Sequence, residues 1–419
     1  MRESLLRAKT WVLKLGTRVC VGEHGRLNGQ LLLSLASQIS ILRQRGCRIC
    51  LVSSGAIGMA RELLQVEGLE DNLPSKQALA AMGQVELMNG YKDLFAMLGI
   101  NVAQVLLTRD DVAARDRYLN ARNTLNALLK YGVLPIINEN DSVSTGEIRF
   151  GDNDSLSAMV GSIINADVVV NFTSAAGVLA ESVTEQDMAM DSSAAADSGS
   201  VVSEIYESNN GERRAGYCLG GKIDKDTGRR IVDLVWEVTP QVEALDEGTT
   251  TRGGTGGLTS KLRAAKMVMR YGGAMVVAPA KAANALLRLA SGEHLGTLFE
   301  GQDTKLNSRQ RWLAEAAKPE GLIVIDKGAA RALSQGGSSL LAVGVVDCEG
   351  GFRAGDLVNV VVKGNEEEVF ARGLCNYSQA ELASIMGQST ARAAEILGHP
   401  GYSDVIHCDN MVLLLGQRL

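Results

Sequence analysis

The stretch W-V-L-K-L-G-T, residues 11–17, decides how the chain reads. Trp11–Leu15 is an apolar run interrupted by one cation, Lys14, and halted at the Gly16-Thr17 corner. It is too short for a helix and has no polar face, as expected of a strand covered on both sides. Outward from it the same rhythm repeats. Helix-like Leu31–Leu42 ends near Gly46 and gives way to the run Arg48–Val52. Ser75 as N-cap and Gly99 as stop frame the next helix, which precedes Ile100–Leu107. Leu119–Leu129 closes at Gly132 before Val133–Ile137, Ser155–Asn165 feeds Val168–Phe172, and Lys261–Arg270 feeds Ala274–Ala278. Alternation of this kind predicts an α/β fold, a largely parallel sheet with helices on both faces, three layers in all.

Polar residues fall where such a sheet gathers its ligands. Ser53-Ser54-Gly55, Asn138-Glu139-Asn140-Asp141 and Thr173-Ser174 each follow an apolar run directly, and Lys14 lies near the end of the first. Ligands of parallel α/β sheets bind beyond the carboxyl ends of the strands, so these segments should converge. Residues 181–230 break the rhythm with M-D-S-S-A-A-A-D-S-G-S and E-S-N-N-G-E-R-R. That composition reads as a flexible insertion with a short ordered piece around Val201–Tyr206. The α/β domain is thus expected over 1–300. A polar bridge, 301–318, leads to a small β-rich domain over 319–419. There the apolar runs Leu322–Ile325, Leu340–Val346, Leu357–Val362, Val369–Leu374 and Met411–Leu415 are separated by glycine turns, with a helix around Ala380–Leu397.

Composition excludes several classes. A 46% hydrophobic and 21% charged chain of 419 residues buries a real core, which rules out wholesale disorder. A net charge of −6 and the run Glu366-Glu367-Glu368 argue against a surface that tracks RNA phosphates. Seven scattered cysteines favour reduced thiols and a cytoplasmic setting. Cys47 and Cys50 have C-x-x-C spacing but fall at the start of a strand, where residues three apart face opposite ways. The four histidines do not cluster, and no metal-ligand set is expected. The charged opening M-R-E-S-L-L-R-A-K-T is no signal peptide, and no apolar run reaches the length of a membrane span.

Three segments can carry chemistry. Gly253-Gly254-Thr255-Gly256-Gly257-Leu258-Thr259-Ser260-Lys261 opens a helix: glycines admit an anion to backbone N–H groups, the helix start is positive, and the lysine adds a full charge. It lacks the spacing of a P-loop. Lys14 would be the second cation beside a migrating phosphoryl group. Gly151-Asp152-Asn153-Asp154-Ser155 precedes another helix. With Asn138 and Asp141 it assembles acceptors suited to an ammonium group, to positioning lysines, or to magnesium held through water.

In this order, V-x-K-L-G-T (12–17), S-S-G-A-I (53–57), S-K-Q-A-L-A-A-M-G-Q (75–84), L-L-T-R-x-D (106–111), Y-L-N-A-R-N-T-L (118–125), I-N-E-N-D (137–141), G-D-N-D-S-L-S-A (151–158) and G-T-G-G-L-T-S-K (254–261) resemble the glutamate 5-kinases of the amino-acid kinase family. The tail, with G-S-S-L-L (337–341) and G-D-L-V-N-V (355–360), resembles a PUA domain. The resemblance implies an ATP- and Mg2+-dependent phosphorylation of the L-glutamate side-chain carboxylate to γ-glutamyl phosphate, the first step of proline biosynthesis. It implies that Lys14 and Lys261 neutralise the phosphates while Asp154 holds both lysines. Ser54, Asn138, Asp141, Asp152 and Asn153 would grip glutamate. Thr173, Ser174 and the loop Thr255, Gly256, Gly257, Leu258, Thr259, Ser260 and Lys261 would face the nucleotide. It further implies a homo-oligomer, proline as a feedback inhibitor, and a separate γ-glutamyl phosphate reductase. One departure stands out. Where the family reads T-D-x-x-G-L-Y, this chain has Thr173-Ser174-Ala175-Ala176-Gly177-Val178-Leu179, so retained activity with weakened nucleotide binding is expected.

Overall fold

A computed structural model describes residues 2–22, 26–64, 72–144, 153–182, 216–224, 227–245, 257–301, 313–314, 319–335, 337–397 and 402–414. The chain divides into two compact units, Met1–Asp110 with Asn120–Lys305, and Asp111–Leu119 with Leu306–Leu419.

The first unit is built on one large sheet. Its strands are β1 (Thr10–Leu15), β2 (Arg48–Ser53), β3 (Val102–Leu107), β4 (Leu134–Glu139), β5 (Val168–Thr173), β6 (Leu179–Ser182), β7 (Tyr217–Ile223), β8 (Arg229–Val235), β9 (Ala274–Pro279) and β10 (Thr297–Phe299). The spatial order is β3-β4-β2-β1-β5-β9-β10-β8-β6, with β7 also paired to β8. The six strands from β3 to β9 are mutually parallel. Beyond them β10 runs antiparallel to β9, and β6 and β7 antiparallel to β8.

Alternation along β1 shows how the sheet is covered. Trp11, Leu13 and Leu15 join a core with Leu32, Leu35 and Ile39 of the helix Gly29–Gln44 and with Leu87 and Phe95 of the helix Leu73–Ala96. Val12 and Lys14 point to the other face, where the helix Asn153–Ile164 lies on β1 and β5 and the helix Leu258–Arg270 lies on it and on β9. The helix Asn153–Ile164 is buried from Asp154 to Ile164, being wedged between sheet and second helix. The three layers expected from the sequence are therefore present.

Three local expectations change. The helix of residues 73–96 is capped by Asn72, whose Oδ1 accepts from the Ser75 N–H at 2.9 Å, and Ser75 lies within its first turn. Pro74 is compatible with a first helical turn, so it does not delay the start. Strand β4 extends to Glu139, which places Asn138 in the ladder itself. The third change concerns the insertion of 181–230. Tyr217–Ile223 is a strand, and Arg229-Arg230 begin β8, because Tyr217, Cys218, Leu219 and Ile223 supply pairing residues inside a polar surround. The piece anticipated at 201–206 lies outside the described residues. Cys47 and Cys50 do face opposite ways: Cys47 packs against the core on one side of β2, while Cys50 is fully buried on the other. All seven cysteines are free, and burial pushes the Cys50 thiol up to about 12.

The second unit holds a five-stranded sheet of β11 (Gly321–Ile325), β12 (Val345–Gly350), β13 (Leu357–Val362), β14 (Asn365–Leu374) and β15 (Met411–Leu413), ordered β12-β11-β13-β14-β15. Only β11 and β13 pair in parallel. Its core is separate, formed by Ile323, Ile325, Val358, Val360, Phe370 and their neighbours. The expected strand at Leu340–Val346 is instead a single bridge at Leu340, a 3-10 turn at Ala342–Gly344 and the start of β12. The expected helix of 380–397 is two, Gln379–Ile385 and Thr390–Leu397. The first opens on a capping box between Ser378 and Glu381, and Met386 leaves helical geometry at ψ 139°. Among the described residues no helix is long and apolar enough to cross a membrane.

Candidate active site

The carboxyl ends of β1, β2, β4 and β5 lie side by side, and the polar segments that follow them meet there. Lys14 and Asn171 are register partners on β1 and β5, so their side chains emerge together from one face of the sheet. Directly over them is Asp154, in the first turn of the helix Asn153–Ile164 and wholly buried. Its Oδ1 binds the Lys14 ammonium and accepts from Asn171 Nδ2 at 2.7 Å. Its Oδ2 accepts from Ser260 Oγ at 2.6 Å and from Lys261 Nζ at 3.3 Å. One carboxylate thus anchors two lysines that are 247 residues apart in the chain (261 minus 14).

Charge accounting explains the arrangement. The Lys14 and Lys261 side chains are only 9% and 13% exposed, so two cations share a largely dry space around the Asp154 carboxylate. Cations fixed before substrate arrives suit a phosphoryl group in transfer. Burial would raise the Asp154 pKa. The charges of Lys14 and Lys261, with hydrogen bonds from Lys14 and Ser260, outweigh burial and hold it down to about 2. Asp154 therefore stays ionised and cannot serve as a proton donor or acceptor near neutral pH. Its four partners also leave it no room as a metal ligand.

Near the carboxyl ends of β2 and β4 a second group forms a hydrogen-bonded polar cluster. Asn153 Nδ2 reaches Ser54 Oγ at 2.6 Å, Asn138 Oδ1 at 3.1 Å and the Ser53 carbonyl at 3.2 Å. The Asn153 Oδ1 is buried and has no hydrogen-bond partner. Gly55, at φ +118°, turns the chain out of β2; a side chain there would be strained and would meet Val21 at 2.8 Å. Asp141 is half-buried in the turn after β4. Thr173 ends β5 and Ser174 is exposed just beyond it. Gly257 is the N-cap of the helix Leu258–Arg270, with Leu258 and Thr259 in its first turn; its carbonyl accepts from Ser260 Oγ at 2.9 Å and from Lys261 Nζ at 3.3 Å. Asp152, Thr255 and Gly256 lie outside the described residues.

Two residues gained no role from the sequence. Asn171 on β5 orients Asp154 from below, and Gln84 accepts from Asn138 Nδ2 at 2.9 Å. For Asn171 the signal was available: an amide in the otherwise apolar run Val168–Phe172 has to find a buried partner.

A three-layer α/β sheet whose strand ends deliver two lysines to one buried carboxylate defines a phosphotransferase of the amino-acid kinase class. A model of the amino acid kinase family matches residues 9–188, and one of the PUA domain matches residues 321–397. The chain is 38% identical over 413 residues to a glutamate 5-kinase of Pelobacter propionicus, covering 99% of this chain and 100% of that one. It is 37% identical over 420 residues to a glutamate 5-kinase of Syntrophus aciditrophicus, and 38% over 403 residues to one of Caldanaerobacter subterraneus subsp. tengcongensis. The chain belongs to the glutamate 5-kinase family.

Proposed function

We propose that this enzyme transfers the γ-phosphoryl group of ATP to the side-chain carboxylate of L-glutamate, giving γ-glutamyl phosphate and ADP. The observation that carries this reading is the pair Lys14 and Lys261 held on Asp154 at the carboxyl ends of the strands. The reaction joins a glutamate carboxylate oxygen to Pγ while the bond from Pγ to the β,γ-bridging oxygen breaks and its electrons leave with ADP. A carboxylate is already a nucleophile, so no general base is needed. The barrier lies in bringing two anions together, which two prepositioned ammonium groups lower.

In this reading Lys14 and Lys261 bind the migrating phosphoryl group and Asp154 fixes them. Ser54, Asn138, Asp141, Asp152 and Asn153 hold the glutamate amino and α-carboxyl groups, with the unpartnered Asn153 Oδ1 suited to the ammonium. Thr173, Ser174 and residues 255–261 face the nucleotide. Magnesium enters as part of the Mg·ATP substrate, carried by phosphate oxygens, because Asp154 is fully engaged. Ser174, standing where the resemblance leads one to expect an acid, is assigned a weaker hold on the nucleotide. Titration calorimetry should still detect ATP binding at millimolar nucleotide, and absence of heat there contradicts the reading.

The domain limits we assign are 1–300, a linker over 301–318 and the PUA-like domain over 319–419. The acyl phosphate is labile, so it passes to a separate reductase. A cytoplasmic homo-oligomer inhibited by proline completes the reading. The deciding experiment traps γ-glutamyl phosphate with hydroxylamine. The hydroxamate should appear only with both glutamate and Mg·ATP present, and should fall when proline is added.

A further inference from the structure

We propose that Gln84 is a positioning residue for the amino-acid pocket, setting the orientation of Asn138 and, through it, of Asn153. The proposal rests on the glutamate reading above and adds a residue from the opposite layer of the sheet. The Glu139 backbone N–H donates to one side-chain atom of Asn138 at 2.9 Å, so that atom is the oxygen. The other is then the NH2, and it donates to Gln84 Oε1 at 2.9 Å. The Asn138 oxygen also receives Asn153 Nδ2, which leaves the Asn153 oxygen as a buried acceptor without a partner. A single direction thus runs through three amides, and Gln84 is its far anchor.

The helix Leu73–Ala96 is built to put Gln84 there. Gln77, Gln84 and Tyr91 recur at seven-residue intervals, so they form one stripe along it. Each holds a strand-end segment: Gln77 Nε2 donates to the Ser144 carbonyl at 3.1 Å, Gln84 accepts from Asn138, and Tyr91 Oη meets Ser53 Oγ at 2.8 Å. Close approach is secured next door, because a Cβ on Gly83 would lie 1.8 Å from the Ala56 carbonyl oxygen. The helix can therefore press directly against the turn that carries Ser54.

The test uses the full chain and measures steady-state ADP release with each substrate varied in turn, alongside thermal melting. Gln84→Met keeps the length but removes the acceptor, leaving the Asn138 NH2 buried and unpaired. It should raise the glutamate KM roughly tenfold while the ATP KM stays within about twofold. Gln84→Glu retains an acceptor oxygen and should restore the glutamate KM to within roughly threefold of the parent. If Gln84→Met does not fold, Gln84→Asn, too short to reach Asn138, reads the same KM. An unchanged glutamate KM in Gln84→Met or Gln84→Asn, or an equal rise in both substrates' KM, overturns the proposal. A parent enzyme with no glutamate-dependent ADP release instead sinks the underlying functional reading.

Discussion

At the residue scale the site turns on one carboxylate. Asp154 is ionised because two ammonium groups face it, and its pKa of about 2 makes its contribution to stability depend on pH. A depressed carboxyl pKa stabilises the fold above the unfolded value near 4 and loses that contribution as pH falls toward 2, an effect of roughly 2 kcal/mol. Asp154→Asn should therefore flatten the acid limb of stability between pH 4 and 2, as read by urea unfolding across that range. It should also lower kcat at least roughly a hundredfold, since both lysines lose their anchor. Lys261→Ala is expected to reduce kcat by a comparable factor while the glutamate KM changes little. Asp141→Ala should do the reverse, raising the glutamate KM by roughly tenfold with a smaller effect on kcat. Initial-rate kinetics on the two variants distinguish a phosphoryl role from an amino-acid role.

At the scale of elements, the helices on the two faces have different duties. The helix Asn153–Ile164 brings its first turn over Lys14 and Asn171, so its start carries the polar contacts and its remainder is core. The helix Leu73–Ala96 serves from behind the sheet, and Gly83 lets it come close enough. Gly83→Ala would force its Cβ into the carbonyl of Ala56, the first residue of the helix Ala56–Leu64, so one of the two helices must shift. Destabilisation of about 1–3 kcal/mol is expected, seen as a Tm several degrees lower, accompanied by a raised glutamate KM. A fall in Tm without any change in KM would separate packing from positioning. Much of this scale was legible in the sequence, because strands such as Trp11–Leu15 and Val168–Phe172 are apolar runs closed by polar turns. The start of the long helix was less so, since Pro74 and Ser75 both imitate a boundary that Asn72 actually provides. Strand β7 escaped notice because Tyr217–Ile223 contains two glycines and a lysine and is set in polar surroundings. Its place in the sheet comes from pairing with β8.

At the scale of the whole molecule, each of two compact units has a hydrophobic core of its own. Units with their own cores tend to unfold as separate cooperative steps. Calorimetry should resolve two transitions. Saturating glutamate with a nonhydrolysable ATP analogue should raise only that of the unit carrying Lys14 and Asp154, by mass action on its folded state. One transition that moves as a whole would contradict this.

By itself the sequence determined the parallel order of apolar runs and helices, and the presence of Lys14, Asn138, Asp154 and Lys261 at strand and helix ends. Burial periodicity and end signals are local properties, written within a dozen residues. That Asp154 holds both Lys14 and Lys261 was implied by the family resemblance and by no local pattern. Tertiary structure alone decided that Asn171 and Gln84 support these groups from the sheet and from behind it, and that β7 joins β8. These depend on which distant segments become neighbours, and a one-dimensional pattern holds no distances between them.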